Sequence, residues 1–245
     1  TTTGWPSIFV FIAAFGAGLG VLMARRLPES LALSARQPFS AGHLMRGYAG
    51  LMRDRVFVAL VLASAVPFNA MFLYVLGAPA WLGGHLGLAP TQFFWHFALG
   101  MVGMMSGAWI SGRLAGRAHP HRQVAWGFRV LGAAVVVNLG LNLLFPASAS
   151  WALLPVAVIA LGWAIQAPVV TLMLLDRAPD RRGMAASLQS CLSAVVNGLV
   201  AGVVVPGVQF STVAMAAAAA VCAVVGWLAW RWSASRLQST GRAAG

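Results

Sequence analysis

Charged residues are scarce in this 245-residue chain: they make up 8% of it, whereas hydrophobic residues make up 60%. A soluble domain carries about 25% charged residues, so the composition excludes a water-soluble monomer of this size. Lysine is absent, since all 16 basic residues are arginines, and this excludes a retinal Schiff base and a light-driven pump. Acidic residues number only 4, so the formal net charge is +12.

Cysteines and catalytic motifs are also scarce. Cys191 and Cys222 both fall inside apolar stretches, which argues against a disulfide framework and against a metal site. His119 and His121 form a His-x-His pair, but histidines beside membrane headgroups are commoner than metal ligands. The sequence contains no HExxH, GxSxG, P-loop or CxxC pattern. We therefore expect no enzyme, no metal and no cofactor.

Seven apolar runs dominate the sequence, at about 5–24, 56–78, 92–112, 123–145, 152–175, 183–205 and 210–230. A helix of about twenty apolar residues crosses the roughly 30 Å of hydrocarbon in a bilayer. Nucleic-acid-binding proteins can carry a similar net charge, but they place it on solvated amphipathic faces. The sequence predicts an all-α, polytopic membrane protein with seven transmembrane helices, which contacts the lipid bilayer and no nucleic acid.

The arginines all lie on one side of these runs. They follow the first, third, fifth and seventh runs, with Arg129 just inside the fourth. Connections 79–91, 146–151 and 206–209 carry none. Because positively charged loops stay in the cytoplasm, we expect a cytoplasmic C-terminus and an outward-facing start of the chain.

The chain opens at Thr1 with neither an initiator Met nor a basic stretch before the first run, so we expect no signal peptide and a fragment of a longer protein. We expect four segments. Residues 1–24 form the last helix of a preceding bundle, and residues 25–55 form a cytoplasmic linker between bundles. Residues 56–232 form a C-terminal six-helix bundle, and residues 233–245 form a cytoplasmic tail.

Apolar residues in the expected linker are spaced as on one face of a helix. Leu44, Tyr48 and Leu51 follow a Ser40 N-cap at i, i+4 and i+7, which predicts a short interfacial helix. An ordinary basic loop is the alternative.

Proline and amide residues, rather than carboxylates, occupy the middle of two predicted spans. Pro67 and Asn69 lie roughly 16–20 Å from the arginine side, and Gln166 and Pro168 roughly 10–14 Å, at about 1.5 Å per helical residue. Proline-interrupted helices at matching places in two inverted three-helix repeats indicate a transporter's substrate site. The alternative is a packing kink whose amide bonds to a neighbouring helix.

The sixth run carries a polar stripe, Ser187, Ser190, Ser193 and Asn197. Asn197 lies nearest the membrane centre and is the best candidate for substrate contact, with close helix packing as the alternative for the stripe. Phe72 shares a helix face with Asn69 and is placed to stack on a flat ligand; a plain core position is the alternative.

The four acidic residues all lie in predicted connections, so none is at mid-membrane depth. Buried acids are the usual proton carriers, and we expect the coupling residue to precede Thr1. Asp176 and Asp180 lie beside Arg177, Arg181 and Arg182, and this cluster is a candidate for gating ion pairs on the arginine side, although exposed pairs are individually weak. We interpret Arg113 and Arg117 as positive-inside anchors.

Several short motifs occur in a fixed order along the chain. Residues 51–57, Leu-Met-Arg-Asp-Arg-Val-Phe, resemble the junction between the linker and the seventh helix in drug exporters of the major facilitator superfamily. Residues 72–79 and 86–93 resemble the segments that follow, residues 183–188 the start of the eleventh helix, and residues 4–9 the entry to the sixth. The order and spacing resemble the bicyclomycin/chloramphenicol-resistance (Bcr/CflA) branch.

The resemblance implies helices six to twelve of a twelve-helix, proton-coupled drug exporter of the bacterial inner membrane. Its substrate would lie between two six-helix bundles, and its partners would be that small molecule, protons and the missing N-terminal helices. The loop 112–117 departs from the family because it lacks the acidic residue of the fuller motif. We expect the fragment to be inactive alone.

Other functions remain open. A metabolite exporter of the same superfamily would be favoured by a mid-membrane cation, for which Arg129 is the candidate. A membrane-embedded enzyme would need His, Ser or carboxylate groups that converge at one depth. A seven-helix receptor fits the predicted topology.

Overall fold

The computed structural model describes residue 4, residues 6–27 and residues 40–243. All regular structure in this part of the chain is helical. The helices are α1 (Pro6–Arg26), α2 (Ala41–Arg53), α3 (Arg55–Leu76), α4 (Phe94–Leu114), α5 (Pro120–Leu144), α6 (Ala149–Asp176), α7 (Arg182–Leu199), α8 (Val205–Val208) and α9 (Thr212–Ala243). Residues 28–39 of the expected linker lie outside the described residues.

Within the described residues, seven helical segments are long and apolar enough to cross a membrane, which confirms the predicted fold class. They are Pro6–Arg26, Arg55–Leu76, Pro90–Leu114, Pro120–Leu144, Ala149–Asp176, Pro179–Val208 and Thr212–Leu237. Several begin before the apolar run itself, because polar residues start the first turn. The Ser148 hydroxyl, for example, accepts from the N–H of Ser150 and caps α6.

The chain divides into two units, residues 1–43 and residues 44–245. In the first, α1 is an apolar helix that ends with Arg25 and Arg26. The second contains α3 to α9 together with most of α2. We call one end of this second unit the arginine end, since α3, α5 and α7 begin there and α4 and α6 finish there beside Arg113 and Arg177.

Close backbone approach holds the helices of the second unit together. A Cβ atom on Gly103 or Gly107 of α4 would overlap the backbone carbonyl of Ala157 or Leu161 of α6. Gly162 of α6 meets α5 in the same way. Small residues at helix crossings give van der Waals contact that lipid cannot replace, so these glycines fix how α4, α5 and α6 pack.

The C-terminal part of α2 packs on the arginine end through residues of its apolar face. Leu51 is buried in a cluster with Phe57 of α3 and Trp230 of α9. The Tyr48 hydroxyl is 2.9 Å from the Ser187 hydroxyl of α7. Arg46 and Arg53 are exposed. The C-terminal part of α2 is therefore a part of the bundle's arginine end.

At the opposite end, the core is built around aromatic residues. Tyr74 and Trp81 lie with ring centroids 4.5 Å apart, and Tyr74 accepts a hydrogen bond of 2.7 Å from the Asn138 amide. Trp81 also contacts the buried His96 edge-on. Trp81 belongs to a π-helical segment, Pro79–His85, that was expected as a plain connection.

Candidate functional site

A cavity of about 640 Å³ opens between α3, α4, α6 and α7 of the second unit. Each helix contributes small or polar side chains to its wall. The lining residues are Ser64, Met104, Ala108, Trp163, Ala164, Ala167, Pro168, Thr171, Gln189, Ser190, Ser193, Ala194 and Asn197. The wall contains hydroxyls, amides and one indole, and no ionisable side chain among the described residues.

Two of the predicted site residues meet at the edge of this cavity. The Asn69 amide donates to the side-chain oxygen of Asn197 over 2.9 Å and to the backbone carbonyl of Ala65 over 3.1 Å. Asn69 is fully buried, whereas Asn197 is half-buried and lines the cavity. Since Asn69 engages the oxygen of Asn197, the Asn197 amide N–H groups remain as donors for a ligand. Asn69 thus orients Asn197 and does not itself line the cavity.

An aromatic stack runs from the cavity wall into α3. Trp163 lines the cavity, and its indole N–H donates to the backbone carbonyl of Ser64 over 3.0 Å. Phe68 lies 4.9 Å from the Trp163 ring and 5.0 Å from the Phe72 ring. Phe72 is therefore one ring behind the wall, and the Trp163 face is the aromatic surface that a ligand would meet.

Gln189 of α7 is a wall residue that the sequence reasoning missed. Its amide donates to the Thr171 hydroxyl over 3.0 Å and to the Ser64 hydroxyl over 3.3 Å. It thereby links α7, α6 and α3 across the cavity. The signal was present in the sequence, because Gln189, Ser193 and Asn197 repeat at i, i+4 and i+8.

Gln166 and Pro168 lie on different sides of α6. Pro168 lines the cavity together with Trp163 and Thr171. Gln166 is completely buried on the other side, where a Cβ added to Gly127 of α5 would come within 2.8 Å of the Gln166 Cβ. Both amide atoms of Gln166 lack a hydrogen-bond partner within the described residues. The structure therefore brings Asn69 and Asn197 together and keeps Gln166 apart from them.

Pro67 also faces away from the cavity. α3 continues through Pro67 as one helix, and a Cβ on Gly226 of α9 would overlap the Pro67 ring. The missing side chain at Gly226 makes room for that ring. Pro67 thus shapes the contact between α3 and α9.

Sequence comparison places this architecture in a known family. The sequence profile of the Major Facilitator Superfamily matches residues 1–201 of the chain. The chain belongs to the major facilitator superfamily. This confirms the resemblance seen in the motifs, and it means that the chain is a multi-pass membrane protein.

Two bacterial relatives align over nearly the whole chain. One is the "Uncharacterized MFS-type transporter YdgK" of Bacillus subtilis (strain 168), 27% identical over 228 residues, which are 92% of this chain and 56% of that protein. Another is the "Bicyclomycin resistance protein homolog" of Haemophilus influenzae, 23% identical over 243 residues, which are 97% of this chain and 60% of that protein. The chain spans less than two thirds of the length of either relative.

Family membership also bears on the enzyme and receptor alternatives. The relatives in this superfamily are transporters and not enzymes, which excludes a membrane-embedded enzyme and leaves the receptor alternative without support. Arg129, the mid-membrane cation that would favour a metabolite exporter, does not line the cavity. No three His, Cys, Asp or Glu side chains come together as a metal site in the part of the chain that the structure describes.

A salt bridge joins two helices at the arginine end of this superfamily member. The guanidinium of Arg177, just after α6, donates to Asp54 Oδ2 from Nη2 over 2.7 Å and from Nε over 3.2 Å. Asp54 Oδ1 also accepts from the N–H groups of Val56 and Phe57, which caps the start of α3.

The contacts of Asp54 change its acidity. Burial acts to raise the pKa of the Asp54 carboxyl, but the Arg177 guanidinium and the two backbone N–H groups outweigh it and hold that pKa below its ordinary value of 3.8. The carboxylate is therefore ionised at neutral pH. A charged cap keeps both the helix start and the salt bridge in place.

Asp176 lies in the cluster of charges that the sequence suggests for ion pairing at the arginine end. Asp176 pairs with Arg182 over 2.8 Å, and both side chains are more than half exposed, at 65% and 61%. Arg177, its neighbour, turns to Asp54 instead. Asp54, which the sequence analysis did not include in this cluster, is the carboxylate that lies next to Arg177.

Arg113 and Arg117 are exposed at the end of α4 and in the turn that follows. The Arg113 guanidinium lies 4.3 Å from the centre of the Trp109 ring. Both arginines border a small hollow of about 390 Å³ with Gly112 and Ala115. Gly116 has φ +74°, a conformation that favours glycine and lets the chain turn toward α5.

Proposed function

We propose that this chain is the C-terminal part of a proton-coupled exporter that moves drugs or similar small molecules across the bacterial inner membrane. The observation that carries the proposal is the uncharged cavity between α3, α4, α6 and α7. The Haemophilus relative named as a bicyclomycin resistance protein homolog supports the choice of drugs over metabolites. The arginine-rich loops support a cytoplasmic arginine end and C-terminus.

The chemistry of the wall limits the substrate. Desolvation makes an unpaired charge costly in a membrane cavity, so a wall without ionisable groups favours a neutral substrate or the neutral part of one. The Asn197 amide, the Gln189 amide and the Ser190 and Ser193 hydroxyls supply hydrogen bonds, and Trp163 supplies a ring surface. We propose Asn197, oriented by Asn69, as the central polar contact.

The other predicted residues have supporting roles in this proposal. Phe72 holds the aromatic stack behind Trp163, and Gln166 lies behind the wall of α6. Arg113 and Arg117 anchor the arginine end, while Asp176 and Arg177 form ion pairs that open and close during transport. No carboxylate lines the cavity among the described residues, and in this proposal the proton carrier lies in a part of the complete protein outside this chain.

The test is a drug-susceptibility panel on cells that express the complete protein, in wild type and in variants. We expect Asn197→Ala and Gln189→Ala to change which compounds are exported. Asn142→Ala is the matched control, because Asn142 lies on α5, bonds among the described residues to Asn138 of the same helix, and does not line the cavity. Unchanged export by the two cavity variants at normal expression would contradict the proposal.

A further inference from the structure

A second recess lies between α5 and α9, on helices that do not line the substrate cavity. Its volume is about 550 Å³. Its lining residues are Ala125, Phe128, Arg129, Leu131, Gly132, Val135, Val136, Ala220, Ala223, Val224, Trp227, Trp230 and Arg231. No residue is shared with the cavity between α3, α4, α6 and α7. We call this recess the α5/α9 groove.

The groove has the shape of a channel for a hydrocarbon chain. On α9, its residues run from Ala220 to Arg231, a distance of roughly 16 Å along the helix at about 1.5 Å per residue. Its outer edges are apolar and exposed, with Val136 at 69% and Val224 at 51%. Gly132 keeps the middle open, because a Cβ placed there would meet no atom within 4 Å.

Two arginines line the half of this apolar channel that is nearer the arginine end. Arg129 and Arg231 both line the groove and both are exposed. Within residues 40–243, neither forms a salt bridge with a carboxylate. The Arg231 guanidinium lies 5.1 Å from the centre of the Trp227 ring, which leaves its N–H groups available to an anion.

The position of Arg129 needs an explanation. It is the tenth residue of α5, inside the apolar span Pro120–Leu144. An unpaired arginine in hydrocarbon is costly, so such side chains extend toward the headgroup layer and pair with an anion. Arginine binds phosphate in a planar, two-point geometry that lysine lacks.

We propose that the α5/α9 groove binds an anionic phospholipid, with the phosphate between Arg129 and Arg231 and an acyl chain along the groove past Gly132. Two arginines that form no salt bridge with a carboxylate among the described residues complement a headgroup of net negative charge. A zwitterionic headgroup would bring its own cation to the same place, which opposes binding. This inference does not depend on which substrate the protein exports.

Native mass spectrometry of the complete protein tests whether the two arginines bind the lipid headgroup. The detergent-purified protein is mixed with phosphatidylglycerol or with phosphatidylethanolamine, and the lipid retained per protein is counted. We expect retained phosphatidylglycerol to fall at least about tenfold in the double variant Arg129→Gln, Arg231→Gln, because two charge-assisted phosphate contacts are removed. The control, Arg122→Gln with Arg236→Gln, removes the same charge from the same helices outside the groove and should leave retention unchanged.

A second pair of variants tests whether the groove binds the acyl chain of the lipid. Gly132→Trp fills the groove, and Gly140→Trp is the control on the same helix outside the groove. A Cβ at either position meets no atom within 4 Å, so neither substitution clashes at its Cβ. We expect only Gly132→Trp to lower retention of phosphatidylglycerol. Inorganic phosphate alone should not displace the lipid, since it has no chain for the groove.

Three results would overturn the proposal. One is equal phosphatidylglycerol retention by the groove double variant and its control. Another is equal retention of the two lipids by the wild type. The third is displacement of the lipid by inorganic phosphate alone, which would assign the arginines to a free anion.

Discussion

Replacing Asp54 by Ala removes the cap of α3 and the salt bridge to Arg177 in a single step. The Asp54 carboxylate accepts from two backbone N–H groups through one oxygen and from the Arg177 guanidinium through the other. The first set caps the start of α3, and the second joins that start to the end of α6. The variant therefore tests whether this junction stabilises the second unit.

The expected loss can be worked from these contacts. Loss of a helix N-cap side chain costs about 0.5–2 kcal/mol. The salt bridge is partly exposed, at 34% for Arg177 and 27% for Asp54, so solvent screening leaves it about 0.2–1 kcal/mol. We expect Asp54→Ala to lower the free energy of unfolding by about 1–3 kcal/mol, and Arg177→Gln by about 0.2–1 kcal/mol. Asp54→Asn keeps an acceptor for the cap and should resemble Arg177→Gln.

The assay is reversible unfolding in mixed micelles of a mild detergent and sodium dodecyl sulfate, followed by circular dichroism. The double variant Asp54→Ala, Arg177→Gln completes a thermodynamic cycle that isolates the pair. A stability of Asp54→Ala equal to wild type at neutral pH would refute the reasoning. So would a loss from Arg177→Gln as large as that from Asp54→Ala.

The pH dependence has a definite sign. The pKa of Asp54 is lower in the folded protein than its ordinary value of 3.8. A lowered carboxyl pKa stabilises the fold above the unfolded value, and that stabilisation is lost as the pH falls through the folded value. The stability difference between wild type and Asp54→Ala should therefore be constant near neutral pH and shrink below about pH 4.

Two further predictions concern packing within the second unit. Gly103→Ala should destabilise the contact of α4 with α6, because its Cβ would overlap the Ala157 carbonyl, whereas Gly100→Ala on the same helix meets nothing and should be neutral or stabilising by up to about 1 kcal/mol. Comparison of unfolding midpoints checks this, and equal losses would contradict it. Tyr74→Phe should cost about 1–3 kcal/mol by leaving the Asn138 amide donor unpaired, and adding Asn138→Leu should recover part of the loss. No recovery in the double variant would show that the hydrogen bond is not the cause.

The fold was predictable because the bilayer imposes a simple rule. Each apolar run has the length of a spanning helix, and the arginines mark the ends. The positions at which the spans begin and end were predicted less accurately. The sixth span begins at Pro179, four residues before the expected start, because a 3₁₀ turn at Pro179–Arg181 precedes α7. Local turn chemistry, which hydropathy does not report, sets such boundaries.

For the candidate site, the sequence predicts the depth of each residue in the membrane but not the direction in which its helix face points. Asn69 and Asn197 were both chosen as candidate contacts, and they lie 2.9 Å apart through their side chains. Gln166 was chosen by the same depth argument, yet it lies against Gly127 of α5. The helical repeat fixes which residues share a face, but the neighbouring helices decide where that face points.

The Asp54–Arg177 pair shows the same limit at the arginine end. The two residues are 123 positions apart, and nothing in the sequence indicates that the start of α3 meets the end of α6. Asp176 was the closer carboxylate along the chain, and it pairs with Arg182. Such pairings depend on the packing of whole helices.

Protection of a single cysteine in the cavity tests the central claim most directly. Cys191 and Cys222 are first replaced by Ser and Ala, and Ser193→Cys is then introduced in the complete protein. We predict that an exported drug slows maleimide labelling at position 193, while labelling at a cysteine introduced on the outer face of α5 by Val137→Cys is unchanged. A labelling rate at position 193 that no exported drug changes would contradict a substrate site between α3, α4, α6 and α7.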